Sequence, residues 1–196
     1  MSETVEVRRE VGRRRIAAGE ARSAVLRRRY DAPVEDVWDA CTNPRRIDRW
    51  LLPVSGDLRA GGSFSLQGNA SGEILRCEPP RLLTVTWVYG DRPADEVELR
   101  LTPGDGGGTM LELEHASVCE TAPDGVSDAI LGVGVGWELP LTWSLPAYLR
   151  GELPDVPGVE WYQPTPEHER LAERLAGVWA DLVRAAAPPS PNGSGS

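Results

Sequence analysis

Two histidines occur in the 196 residues, and one of them, His115, stands where an imidazole could do chemistry. In TMLELEHA (109–116) it shares the alternating parity of Leu111 and Leu113, so a strand there turns all three to one apolar face. An imidazole buried near neutrality can take or give a proton, or hydrogen-bond a ligand. Acid–base work also needs a carboxylate nearby. Glu73 is the candidate, because it shares the parity of Leu75 and Cys77 and would point inward near the start of its strand. The plainer alternatives are a satisfied polar side chain at a cavity edge for His115 and the wet end of a strand for Glu73.

Aromatic residues supply a second constellation. Leu83, Val85 and Trp87 share one strand face, while Trp137, Leu141 and Tyr148 follow one another at i, i+4 and i+11 along one helical side. Trp50, Trp87 and Trp137 are therefore expected to ring a pocket with Leu113 and Leu141, Trp50 lying near its entrance. Indoles offer a ligand both area and an oriented N–H. Core packing is the competing reading for all three, and Trp38 reads as core.

Several other chemistries are excluded by spacing. GVGVGWELPLTW (132–143) invites comparison with a phosphate-cradling glycine loop, but hairpin strands precede it and the chain has no lysine. Its glycines read instead as letting a helix approach the sheet closely, at a cost in helix propensity. His168 lies in EHERL, where HExxH zinc spacing would need histidine in place of Ala172, so it reads as solvated and no metal is expected. Gly125-Val126-Ser127-Asp128-Ala129 is not a nucleophile elbow. Cys41, Cys77 and Cys119 are odd in number and far apart, which argues against a disulfide framework. Asn69-Ala70-Ser71 matches a glycosylation sequon that a bacterial cytoplasm would not use. No cofactor is expected.

The formal net charge is -9, yet residues 1–30 hold nine Arg and four Glu. The acidic remainder speaks against a nucleic-acid partner, since phosphate binding needs a basic surface. Arginine-rich residues 1–20, interrupted by Glu3, Glu6, Glu10 and Glu20, read as a solvated extension. No run nears the ~18 apolar residues of a membrane span, and the charged N-terminus lacks a signal-peptide core, so a cytoplasmic bacterial protein is expected.

The elements that must position these residues follow from period and punctuation. A strand is expected over 22–30, a helix after Asp31-Ala32-Pro33 and a second after Asn43-Pro44. The period then falls to two, with strands over 54–58, 63–67, 72–77, 82–89, 96–102 and 109–116. Glu78-Pro79-Pro80-Arg81 and the glycine run 104–108 mark two of the turns. A long apolar helix from near 125 to 150 must cover one sheet face, with Pro140 and Pro146 kinking or breaking it. A proline-rich linker (153–164), a helix over 165–187 with an apolar stripe, and a disordered tail (188–196) complete the chain.

Four phrases then carry a family resemblance: APVEDVWDACTNPRRIDRWL (32–51), GGSFSLQGNASGEILRCEPPRLLTVTW (61–87), VELRLTPGDGGGTMLELEHASV (97–118) and GWELPLTWSLPAYLRG (136–151). In this order they resemble the SRPBCC superfamily of START domains and the birch pollen allergen, and within it the activator of heat-shock-protein-90 ATPase homologue-like group. The resemblance implies an α+β helix-grip fold over residues 21–152, a curved antiparallel sheet gripping a long C-terminal helix, with residues 153–187 additional. It also implies an internal cavity for a hydrophobic small molecule. Three functions are thereby expected to compete. The first is ligand binding at Trp50, Trp87, Leu113, His115, Trp137 and Leu141. The second is a polyketide cyclase- or hydrolase-like enzyme using His115, and the third a co-chaperone-like interaction module. A homodimer is compatible with each.

Overall fold

The computed structural model describes residues 7–118, 128–161 and 164–186. In chain order the strands are β1 (Arg8–Ile16), β2 (Gly19–Tyr30), β3 (Val54–Gly56), β4 (Ser63–Leu66), β5 (Ser71–Glu78), β6 (Leu82–Trp87), β7 (Asp95–Pro103) and β8 (Thr109–Ser117). They form one antiparallel sheet in the order β1-β2-β8-β7-β6-β5-β4-β3. Helices α1 (Val34–Thr42) and α2 (Pro44–Trp50) lie between β2 and β3. After β8 come α3 (Asp128–Leu139), a π-helical turn (Pro140–Ser144), α4 (Leu145–Leu149), α5 (Gly158–Trp161) and α6 (Pro166–Ala185). This is the expected α+β helix grip, with its core between the sheet and the helices.

Local chemistry accounts for the entry helices. Glu35 and Asp36 favour the positive N-terminal end of α1, which buries Val34, Val37, Trp38, Ala40 and Cys41. Asn43 caps α2 by accepting from the Arg45 N–H at 3.1 Å, and Pro44 fits its first turn. The β7–β8 register pairs Leu99 with Leu113 and Val97 with His115, which fixes the inward face that the alternation predicts.

The Arg-rich segment departs from expectation. Where it is described it is no solvated arm: Arg8–Ile16 pair with β2 as an edge strand. The outer sheet face explains this, because its arginines meet glutamates across strands. Arg14 reaches Glu96 at 2.6 Å, and Arg27 reaches Glu10 at 3.0 Å and also Glu112. Charges on both sides of β1 hide its alternation from an apolar count.

At the two prolines the α-helical register is interrupted by a π turn that widens the helix by one residue. The Leu145 N–H donates to the Pro140 carbonyl, the five-residue step of a π turn. In that register the Leu141 carbonyl would face residue 146, a proline with no N–H. Tyr30 replaces it, its hydroxyl donating to the Leu141 oxygen at 2.7 Å. Burial holds that hydroxyl protonated, far above its ordinary pKa. Tyr30→Phe should therefore lose about 1–3 kcal/mol in urea unfolding, the cost of a buried carbonyl left unpaired. A loss below about 0.5 kcal/mol would show that the turn does not depend on this bond.

Helix α6 packs on α3, and the glycines of 132–136 are reinterpreted accordingly. A methyl group at Gly134 would run into the indole of Trp179, whereas positions 132 and 136 face open space. The close approach is thus helix to helix, between α3 and α6, and not helix to sheet. One turn further on, Glu138 is 1% exposed and holds three elements together. It accepts from Trp179 Nε1 at 2.9 Å and from Arg9 Nε at 2.8 Å, and Arg9 Nη2 also donates to it. Among the described residues no helix is long and apolar enough to cross a membrane.

Candidate functional site

An apolar cavity of about 150 Å³ lies between the sheet and the gripping helix. Trp50 from α2, Trp87 from β6, Leu113 from β8, Trp137 from α3 and Leu141 from the π turn all line it. Cys41 and Cys77 add two free thiols, and burial pushes Cys41 up to about 12, so it is a poor nucleophile. Cys119 lies outside the described residues.

A second, more polar chamber of about 420 Å³ adjoins the first. Leu51, Leu66, Trp87 and Trp137 belong to both linings, and the two indoles stand 5.0 Å apart between ring centroids. Asn69, Tyr89, Arg92, Asp95 and His115 line the polar side. His115 therefore faces the polar chamber, while the other five expected ligand residues share the apolar one.

His115 is 3% exposed and hydrogen-bonded at both ring nitrogens. The Trp137 indole N–H donates to Nδ1 at 2.9 Å. An indole nitrogen can only donate, so Nδ1 must be the acceptor nitrogen and the neutral ring carries its proton on Nε2. That nitrogen lies 3.0 Å from Asp95 Oδ2, to which it donates. The result is a linear chain, Trp137 to His115 to Asp95, spanning α3, β8 and β7.

Glu73 plays no part in this chain. Its side chain is exposed on β5, and Ile74 is the buried neighbour. An irregularity in register between Ile74 and Arg76 breaks the alternation, so Cys77 turns inward although Glu73 and Leu75 do not. Asp95 takes the place expected of Glu73. A signal for it exists in the sequence, since Asp95 shares the parity of Val97, Leu99 and Leu101. It lies one residue outside the expected strand and so escapes notice.

Trp50 is buried in the cavity wall, its Nε1 donating to the Ala40 carbonyl at 2.9 Å. One further expectation needs adjustment. His168 is not solvated but completes a capping box with Thr165 at the start of α6 and packs edge-on against Trp143. Among the described residues, no group of three His, Cys, Asp or Glu stands close enough to hold a metal ion.

The model of the activator of Hsp90 ATPase homolog 1-like protein family matches residues 31–150. CalU16 from Micromonospora echinospora is similar over nearly the whole chain. Its crystal structure is 49% identical, covers 91% of this chain and 99% of its own, and superposes with a TM-score of 0.76. Its solution structure is 50% identical, covers 95% and 100%, and gives 0.81. DynU16, a protein in the dynemicin biosynthetic locus, is 25% identical over 68% of this chain and 49% of its own, with a TM-score of 0.58. An HSP90 activator from Plasmodium falciparum, at 20% identity, 67% and 97% coverage and a TM-score of 0.55, shares the fold alone. No curated protein matches the chain.

Proposed function

The chain belongs to the activator of Hsp90 ATPase homolog 1-like family, and on that premise we propose that it binds a small apolar, aromatic molecule between the sheet and α3. The observation that carries this reading is the convergence of Trp50, Trp87 and Trp137 on one apolar cavity. Its volume of about 150 Å³ suits a single substituted ring. Removing such a ring from water supplies the driving force, and the tilted indoles supply edge and face contacts. Trp50 and Trp137 spend their N–H groups on protein acceptors, which leaves the Trp87 indole to orient a polar substituent. The similarity to DynU16, found in a biosynthetic locus, supports a biosynthetic small molecule as ligand.

p-Xylene is the direct probe. It should raise the thermal midpoint with the logarithm of its concentration above Kd, as mass action requires, and shift the indole N–H resonances of Trp87 and Trp137. Leu113→Trp, which fills the cavity from β8, should abolish both effects while the protein stays folded. Absence of any resonance shift with p-xylene in the unmodified protein would rule the reading out.

A further inference from the structure

We propose that Asp95, His115 and Trp137 form an acid–base site for an aryl hydroxyl, built into the polar chamber and capped by the Trp137 indole when no ligand is bound. The proposal rests on the reading that the chambers admit an aromatic molecule, but it assigns the polar chamber a chemistry of its own.

The geometry specifies which atom does what. His115 Nε2–H is committed to Asp95, so Nδ1 is the nitrogen with a lone pair, and among the described residues the only group on it is the Trp137 indole N–H. All three residues line the chamber of about 420 Å³. Trp137 can leave Nδ1 because its side chain lines both cavities and so adjoins open volume. Its neighbours favour this too, for Gly132 and Gly136 put no side chain into the space beside it.

A ligand replacing the indole at Nδ1 must bring a hydrogen-bond donor. A hydroxyl on an aromatic ring does so, and its ring can stack where the indole and Trp87 now meet. Unlike the indole, that donor is acidic enough to give its proton up. The ligand O–H bond then breaks, its electron pair stays on oxygen, and a new N–H bond forms at Nδ1. His115 becomes an imidazolium held by Asp95 on its far side. The titratable groups sharing the chamber are Asp95, Tyr89 and Arg92, and the Arg92 guanidinium supplies charge opposite to the phenolate. Reversal returns the proton to the ligand, so no other reactant is consumed. Trp137 is a positioning residue that acts through His115.

4-Nitrophenol tests this, because only its phenolate absorbs strongly in the visible. Bound to the protein, it should half-ionise at a pH about one unit below that of the free compound, a ten-fold gain in ionisation constant. His115→Gln should restore the free value, and Asp95→Asn should move it most of the way back. Trp137→Phe keeps an aromatic ring but removes the capping N–H, so it should tighten 4-nitrophenol binding about ten-fold. Nitrogen-15 spectra of the free protein should show His115 protonated at Nε2, a readout that needs no variant to fold. Unchanged ionisation on binding, an unchanged value in folded His115→Gln, or an Nδ1–H tautomer would each overturn the proposal. If p-xylene binds but 4-nitrophenol keeps its free ionisation, the acid–base site fails and aromatic binding stands. If 4-nitrophenol ionises but p-xylene does not bind, the apolar-cavity reading fails alone.

Discussion

Glu138→Ala should cost about 3–5 kcal/mol of folding stability, the penalty for removing one partner of a buried ion pair. The carboxylate is almost wholly enclosed and takes hydrogen bonds from Arg9 and Trp179. Without it the Arg9 guanidinium loses its partner at the edge of the core, and the Trp179 N–H is left buried and unpaired. Urea unfolding checks the magnitude. A loss under about 1 kcal/mol would mean that water fills the gap and satisfies both donors. Glu138→Gln separates charge from shape, since the amide can still accept from the indole while giving Arg9 no counter-charge. Its loss should be intermediate.

Trp179→Ala should cost about as much, about 3–5 kcal/mol, for a different reason. The indole is completely buried and lies in the notch that Gly134 leaves in α3. Truncation creates a hole that a glycine on the facing helix cannot fill, and α6 loses its main anchor. Protease sensitivity in the chain between α5 and α6 should rise in parallel. Trp179→Phe retains most of the buried ring and loses only the N–H to Glu138, so it should cost far less than the alanine. If alanine and phenylalanine variants are equally destabilised, the hydrogen bond and not the packing is what counts. Glu138 and Trp179 touch, so their effects should not add. Together they would show that one side chain of the gripping helix ties β1 and α6 to each other, both of them outside the segment matched by the family model.

Much of the fold was legible along the chain. Alternation in 96–102 and 109–116 predicts which side chains face inward, and the structure pairs Leu99 with Leu113 and Val97 with His115 on that face. Pro33, Asn43-Pro44 and Glu78-Pro79-Pro80-Arg81 mark boundaries that the helices and strands keep. The same reasoning failed where a local irregularity broke the period. At Ile74 to Arg76 one misplaced step exchanges inside and outside, and Glu73 points to solvent in consequence. It failed as well at β1, where charged residues on both sides of the strand find partners across it.

Sequence by itself determined the things that depend on near neighbours: strand faces, helix starts, the apolar stripe of α6 and the absence of zinc or phosphate-loop spacing. Tertiary structure alone decided the pairings between residues far apart in the chain. Asp95 and Trp137 meet His115 from two other elements, Tyr30 repairs a carbonyl on the π turn, and Gly134 makes room for Trp179 rather than for the sheet. The reason is physical. Period and capping are set by backbone geometry over a few residues, whereas a buried hydrogen bond is set by which elements pack together and at what offset. No local pattern carries that offset.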